Sequence, residues 1–169
     1  IFTDIKRVTN KNKIAIRSSA YDEDSDSESQ AGKYLSFLNV NKSNKKEVKE
    51  KIEKVFKSYG SNIKIKKGQI LIQEMIRNIK MSGVIMTQDL ENSSPYYCIN
   101  YDDITGSSDT VTSGKGEYAN KSLYLLRGKE KKLKSNRFIK LIKAVQELEK
   151  KFKSDRLDIE FVLTKKNKL

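Results

Sequence analysis

The sequence predicts an α+β fold for this chain of 169 residues. Short strand-like runs dominate its middle, and several of them alternate apolar and polar residues. Only two long segments repeat apolar residues at helical spacing. Strands and helices do not alternate regularly along the chain, which argues against a doubly wound parallel sheet. We therefore expect mixed or antiparallel sheets with few helices.

The first half of the chain is predicted to contain one helix and three strands. The helix begins at Asn44 and stops at Gly60, a residue type common after helix ends. Its apolar stripe consists of Val48, Ile52, Val55, Phe56 and Tyr59. The strands are expected at residues 13–17, 36–40 and 69–76. Residues 19–33 are polar and acidic, which predicts a loop.

The second half is predicted to contain most of the strands and the second helix. The strands are expected at residues 81–87, 96–101, 109–113, 121–127 and 157–163. The helix is expected over residues 136–152, because Phe138, Ile142, Val145, Leu148 and Phe152 share one face. Residues 77–80 form a short connection between two strands.

Charge and composition exclude several classes of function. The net charge is +13, but lysines are spread throughout and the acids cluster at residues 22–28, which argues against a uniform nucleic-acid surface. The chain has no histidine, so it has no Ser-His or Cys-His pair, no histidine metal ligand and no phosphohistidine carrier. Any chemistry here must use carboxylates, lysines, arginines and bound metal or phosphate.

The single cysteine, Cys98, rules out an intrachain disulfide and is expected to be a buried thiol in an apolar strand. A chain without disulfides fits the cytoplasm. No apolar run approaches about 18 residues and no signal-peptide pattern opens the chain, so we expect no membrane partner. The chain does not begin with Met, and we expect it to be a piece of a longer protein.

Arg17 is the first candidate for binding chemistry. It ends an apolar strand and is followed by Ser18 and Ser19. A guanidinium is permanently charged and its planar fork of donors suits phosphate oxygens, while the hydroxyl groups add small donors. The alternative is a strand end whose arginine pairs with the acidic loop.

Asp158 and Glu160 are the candidate metal ligands. They stand at i and i+2 on a predicted strand, so both side chains point to one face, while Leu157, Ile159 and Phe161 point to the other. Two carboxylates on one face repel each other unless a cation lies between them, and Mg²⁺ accepts such a pair together with phosphate and water. The alternative is an exposed acidic pair balanced by lysines.

Several short segments, in order, resemble the nucleotide-binding domain of the phosphoenolpyruvate synthase and pyruvate phosphate dikinase family. Residues 14–20 read Ile-Ala-Ile-Arg-Ser-Ser-Ala and are followed by an acidic pair, Ala-Gly at 31–32 and Leu-Asn-Val at 38–40. Residues 81–87, Met-Ser-Gly-Val-Ile-Met-Thr, resemble the family's Ser-Gly-Val-x-Phe-Thr strand. The sequence Asp158-Ile-Glu-Phe resembles its Asp-Ile-Glu-aromatic strand.

The resemblance implies roles for particular residues. Arg17, Ser18 and Ser19 would contact the phosphates, Arg17 as the catalytic cation, and Gly32 and Ser36 would lie in a glycine-containing flap over them. Gln73 would contact the nucleotide, and backbone groups of residues 74–76 would recognise the adenine edge; these residues are Glu74, Met75 and Ile76. Asp109 takes the place of a glutamate in a loop that also lacks the family's second glycine, where Ser108 stands. Asp158 and Glu160 would hold the metal.

The resemblance also implies a fold and a reaction. The fold would be ATP-grasp-like, with residues 1–169 forming one truncated domain whose lobes, roughly 1–75 and 76–169, surround a nucleotide cleft. The absence of Gly-x-x-x-x-Gly-Lys-Ser/Thr and of Gly-x-Gly-x-x-Gly agrees with that. With ATP and Mg²⁺ as cofactors, the parent protein would transfer a phosphoryl group to a histidine on another domain. Its partners would be the phosphohistidine and pyruvate- or phosphoenolpyruvate-binding domains.

Two other functions remain open at the level of sequence. A domain that keeps the fold but serves a regulatory or scaffolding role is favoured by the shortened acid Asp109 and the missing glycine at Ser108. A basic nucleic-acid-binding module is suggested by net charge alone, and it lacks aromatic residues interleaved within a basic run. The chain by itself is not expected to be an active enzyme.

Overall fold

The computed structural model describes residues 9, 11–19, 24–25, 28–29, 34–60, 68–108, 111 and 121–169. It is an α+β structure that divides into two compact units, Ile1–Met75 and Ile76–Leu169. Every strand pairing among these residues is antiparallel. The predicted fold class is therefore confirmed at the level of α+β with antiparallel sheets.

Within its described residues, the first unit contains five strands and one helix. These are β1 Lys13–Ser19, β2 Asp24–Ser25, β3 Glu28–Ser29, β4 Phe37–Asn41, α1 Lys45–Ser58 and β5 Gln69–Glu74. A three-stranded sheet has the order β4-β1-β5, and β2 pairs with β3 separately. The prediction of a loop over residues 19–33 was wrong for β2 and β3, because their short polar sequences carry no apolar alternation.

Helix α1 begins and ends as its sequence predicts. The side chain of Asn44 accepts a hydrogen bond from the backbone N–H of Glu47 at 3.1 Å, which satisfies one donor that the first turn leaves open. Gly60 follows the helix with a φ of 69°, a conformation that costs glycine little. The apolar stripe of α1 packs on Ile14 and Ile16 of β1, except for Phe56, which is exposed.

A bulge interrupts the pairing of β1 with β4. Ile14 lies opposite Val40 and Ile16 lies opposite Phe37, so β4 has one residue more than β1 over this interval. Asn39, within the bulge, has a φ of 59°, which asparagine tolerates better than most residues. The Leu-Asn-Val segment at 38–40 therefore supplies the residue type that the bend needs.

In the part of the second unit that the structure describes, one helix packs on one face of a four-stranded sheet. Its elements are β6 Ile79–Met86, β7 Tyr96–Asp102, β8 Lys121–Leu126, a 3-10 turn Glu130–Lys132, α2 Asn136–Phe152 and β9 Asp158–Thr164. The sheet order is β8-β7-β6-β9. The predicted strand at 109–113 lies almost wholly outside the described residues.

The core of the second unit lies between α2 and the sheet. Met81, Ile85, Ile99, Phe161 and Leu163 line the sheet side of that core, and all are buried. Position 83 faces the same side of the sheet as Met81 and Ile85. A Cβ added to Gly83 would lie 2.0 Å from the carbonyl oxygen of Asn100. The expected close backbone approach at Gly83 is thus confirmed.

Candidate functional site

Arg17 and Gln73 lie on the same face of the first unit's sheet. Ile14 and Ile16 point toward α1, so the alternation of side chains directs Ala15 and Arg17 to the opposite face. It is called the open face only because α1 does not cover it; Ala15 is buried on it and Arg17 is half-buried. Arg17 is the cross-strand partner of Leu71, and Ala15 is the partner of Gln73. Cross-strand partners share a face, so Arg17 and Gln73 are diagonal neighbours on it. The Cα atoms of such neighbours are typically about 7–8 Å apart.

The arginine is only partly exposed, and its Nε atom is buried. Leu71, directly opposite on β5, is 49% exposed on the same open face. A fixed guanidinium beside an exposed apolar side chain can bind a ligand that combines an anionic part with an apolar ring.

The two serines after Arg17 differ in their direction. Ser18 lies opposite Ile70 on the face of the sheet that packs on α1, whereas Ser19 returns to the face of Arg17 and is exposed. Of the two hydroxyl groups predicted to contact phosphate, that of Ser19 has the same side-chain direction as Arg17.

A tyrosine hydroxyl closes the end of the sheet beside these residues. The backbone N–H of Ser19 donates to Oη of Tyr59 at 3.0 Å, and that hydroxyl donates in turn to the backbone carbonyl of Gln69. Local sequence patterns do not indicate this role, because Tyr59 reads simply as the last apolar residue of the predicted helical stripe.

At the other end of β5, Glu74 is tied to the chain that precedes β1. Its carboxylate accepts hydrogen bonds from Oγ1 of Thr9 and from Nζ of Lys11. Thr9 also accepts from the backbone N–H of Lys11 at 3.0 Å. The Glu74 side chain therefore ties Thr9 and Lys11 to the sheet.

At the end of β5, the backbone N–H and C=O groups of successive residues point alternately toward β1 and away from it. The N–H of Met75 donates to the carbonyl of Lys13 at 3.1 Å, so the polar backbone groups of Met75 face β1. Those of Glu74 point the other way, to the outer edge of β5, because neighbouring residues of a strand alternate in this respect. Ile76 follows as the first residue of the second unit and is partly buried.

The remaining predicted phosphate-binding positions are less fully placed. Ser36 is exposed immediately before β4. Leu35, beside it, donates its N–H to Oγ of Ser58 at the end of α1, at 3.2 Å. Gly32 and Asp109 lie outside the described residues.

Asp158 and Glu160 share one face of the second unit's sheet, as predicted from their spacing. They pair with Met86 and Val84 of β6, and both are exposed on the face opposite α2. In the described part of the chain, no group of three or more His, Cys, Asp or Glu side chains could hold a metal. Two carboxylates fit a Mg²⁺ ion that takes its other ligands from phosphate and water.

A polar cluster holds the start of β9. The guanidinium of Arg127 donates to the carbonyl of Thr87 and pairs with the carboxylate of Glu149. The Thr87 hydroxyl donates to the carbonyl of Asp155 at 2.6 Å and accepts the N–H of Leu157 at 2.7 Å. The residue that precedes Asp158 is thereby bonded to the end of β6.

Tyr97 completes this cluster on the helix side of the sheet. Its hydroxyl donates to Glu149 at 3.1 Å and accepts from Arg127 at 3.1 Å, and the guanidinium lies 4.4 Å from the ring centroid. Burial, and then the charge of Glu149, raise the pKa of Tyr97. Sequence reasoning missed the cluster because Arg127 and Glu149 are 22 positions apart.

The loop after β7 is organised by two aspartates. Buried Asp102 accepts hydrogen bonds from the backbone N–H groups of Ile104 and Thr105. Asp103 pairs with Lys121 at 2.6 Å and with Arg137 at 2.7 Å, and these partners hold the pKa of Asp103 below its ordinary value, Lys121 most strongly. This loop leads toward residue 109.

Cys98 is buried on β7, as predicted. Burial, with a smaller effect of the Asp89 charge, raises its thiol pKa, so the reactive thiolate form is disfavoured. No helix within the described ranges is both long and apolar enough to cross a membrane.

Comparison with known proteins assigns the chain to a family. No curated protein sequence gives a significant match. Residues 1–111 match the family model of the pyruvate phosphate dikinase AMP/ATP-binding domain, and they include Arg17, the partner strand with Gln73, and Gly83. The match ends before β9, which carries Asp158 and Glu160. Because it spans well over half of the 169 residues, the chain belongs to the pyruvate phosphate dikinase AMP/ATP-binding domain family.

Proposed function

We propose that this chain is the ATP-binding part of a phosphotransferase that moves a phosphoryl group from ATP to a histidine on another domain of its parent protein. The family match supports ATP as the ligand. The histidine nitrogen would attack phosphorus, the P–O bond of ATP would break and the shortened nucleotide would leave. Since the chain has no histidine, the acceptor must lie elsewhere in the parent.

The observation that carries this proposal is the common open face of Arg17 and Gln73. Arg17 and the exposed Ser19 would hold the phosphates, because a guanidinium binds them by charge and by paired hydrogen bonds. Leu71, beside Arg17, would support the apolar part of the nucleotide. The chain's chemical contribution would be positioning and charge neutralisation, which dominate catalysis of phosphoryl transfer.

The adenine would be read at the outer edge of β5. Adenine offers a donor and an acceptor side by side, which a strand edge can match with one carbonyl and one N–H two residues apart. Because the backbone of Met75 faces β1, the matching groups would be the carbonyl of Glu74 and the N–H of Ile76. Of residues 74–76, Met75 would then contact the nucleotide through its side chain and not through its backbone.

Asp158 and Glu160 would hold Mg²⁺, which would neutralise phosphate charge. Their shared face and exposure support this role. We further propose that the units Ile1–Met75 and Ile76–Leu169 are the two lobes of an ATP-grasp-like domain. We propose a cytoplasmic parent protein, with which a free, buried cysteine agrees. Its other domains would bind phosphoenolpyruvate or pyruvate.

Calorimetric titration of the chain with Mg-ATP tests the proposal. We expect binding that requires Mg²⁺ and that weakens about tenfold, or about 1.4 kcal/mol, in Arg17→Ala. Lys46→Ala, on the exposed side of α1, removes the same charge away from the open face and should leave the affinity unchanged.

Two results would contradict the proposal in different ways. Equal weakening in Arg17→Ala and Lys46→Ala would indicate general attraction of anions to a basic chain. Absence of binding in the wild type, and in a version extended at both ends, would favour the regulatory or scaffolding alternative.

A further inference from the structure

The hydroxyl of Tyr59 bridges the last backbone pair of β1 and β5. Ser19 and Gln69 are cross-strand partners at the end of the two strands. The N–H of Ser19 donates to Tyr59 Oη at 3.0 Å, and that hydroxyl donates to the carbonyl of Gln69. One hydroxyl, acting as acceptor and donor, thus links backbone groups of both strands.

The Tyr59 ring is held so firmly that its hydroxyl has a defined position. The ring is 4% exposed and follows α1 directly as its C-terminal cap. Tyr34 packs against it edge-on with ring centroids 5.0 Å apart. A Cβ on Gly68 would lie 2.9 Å from the ring, so only glycine leaves room for it at the start of β5.

This bridge ties the ends of the two strands together beside the proposed phosphate site. Arg17 is two residues from Ser19 and faces Leu71, which is two residues from Gln69. Without the hydroxyl, the Ser19 N–H and the Gln69 carbonyl would each lose a hydrogen-bond partner, at a cost. The end of β1 at residues 17–19 would then be held less firmly against β5.

We propose that Tyr59 is a positioning residue, whose hydroxyl holds the backbone of residues 17–19 for the triphosphate of ATP. This inference rests on the proposed function. Tyr59 acts through Ser19 and Arg17, on the side of the sheet that α1 covers, and does not itself touch the nucleotide.

Tyr59→Phe tests the inference, because it removes the hydroxyl and keeps the ring contacts with Tyr34 and Gly68. We expect the amide resonances of Ser18, Ser19 and Gln69 to shift. The affinities for Mg-ATP and for magnesium tripolyphosphate should both fall about fivefold, the effect of one well-placed hydrogen bond. The affinity for adenosine should stay unchanged, because the outer edge of β5 at Glu74 lies at the other end of the strand.

Thr164→Val is the matched control, since it removes a hydroxyl of the second unit that likewise accepts a backbone N–H and donates to a backbone carbonyl, both of Lys168. It should leave both phosphate affinities unchanged. An unaltered Mg-ATP affinity in Tyr59→Phe, with the wild type binding normally, overturns the inference alone. Equal losses for ATP and adenosine, or equal losses in both variants, would show a general structural effect and overturn it as well. A wild type that does not bind Mg-ATP would instead refute the proposed function, and this role with it.

Discussion

Asp103 shows how one residue can link three elements of the second unit. It follows β7 directly, pairs with Lys121 at the start of β8 and with Arg137 in the first turn of α2. The first turn of α2 contains no acidic residue, and the Asp103 carboxylate offsets the unfavourable placement of Arg137 near a helix N-terminus. With 13% of its side chain exposed, Asp103 is shielded enough for these pairs to contribute to stability.

We expect Asp103→Asn to lower the free energy of unfolding by about 1–2 kcal/mol at pH 7. The folded state holds the pKa of Asp103 below its ordinary value of 3.8, so its contribution is complete above that pH and is lost as the pH falls through the lower, folded-state pKa. Urea unfolding of wild type and variant should therefore converge once the pH falls below the folded-state pKa of Asp103. The control is Glu53→Gln, whose exposed pair with Lys49 is 3.9 Å long and should contribute little. A gap that persists undiminished in acid would exclude the charge as its cause.

At the scale of elements, β6 is the strand on which the second unit depends. It pairs with β7 on one side and β9 on the other, and an added Cβ on its Gly83 would meet the backbone of β7 at Asn100 and Tyr101. The aromatic residues Tyr101 and Phe161, which are the cross-strand partners of Gly83, cover the position that a side chain would otherwise fill. A larger residue would therefore displace backbone rather than a flexible side chain.

Gly83→Ala should destabilise the chain by about 2–3 kcal/mol, because its Cβ would overlap the Asn100 carbonyl and force β6 and β7 apart. Gly128→Ala is the comparison: its φ of 78° imposes strain, yet nothing lies within 4 Å of an added Cβ, so about 1 kcal/mol is expected. Thermal or chemical unfolding of both variants measures the difference. Gly128→Ala being the more damaging change would refute this account of Gly83.

The elements could be predicted from sequence where a periodic apolar pattern was long. Helix α2 has the predicted bounds, since Phe138, Ile142 and Val145 repeat over several turns. Strands β2 and β3 could not be predicted from sequence, because polar strands of two residues have no periodic apolar pattern. The shared face of Asp158 and Glu160 followed from spacing alone, whereas the shared face of Arg17 and Gln73 required the register of β1 against β5.

The contacts that hold the candidate site were hidden from sequence for a different reason. Tyr59 bonds to Ser19, 40 positions earlier, and Thr87 bonds to Leu157, 70 positions later. Such partners depend on how the chain returns on itself, which local patterns do not encode. Both residues also have an ordinary local reading, one as the end of a helix stripe and the other as the end of a strand.

At the scale of the whole molecule, each unit has its own core and its own group of candidate residues. One core packs α1 on β1 and β5, beside Arg17 and Gln73, and the other packs α2 on the sheet that carries Asp158 and Glu160. Each candidate group lies on the face of its sheet that its helix does not cover. Substitutions on these open faces should therefore change binding with little loss of core packing.

The metal requirement is the property of the whole chain that most directly tests this arrangement. In Asp158→Asn combined with Glu160→Gln, we expect ATP to bind equally with Mg²⁺ and with a chelator present, because the paired charge that attracts the ion is gone. Direct titration with Mn²⁺ should also lose its binding signal in that variant. Glu147→Gln, an exposed change on α2 at the opposite face, should keep both signals. Retained Mg²⁺ dependence in the double variant would mean that the ion is held by the phosphates or by other residues, and that β9 serves the fold alone.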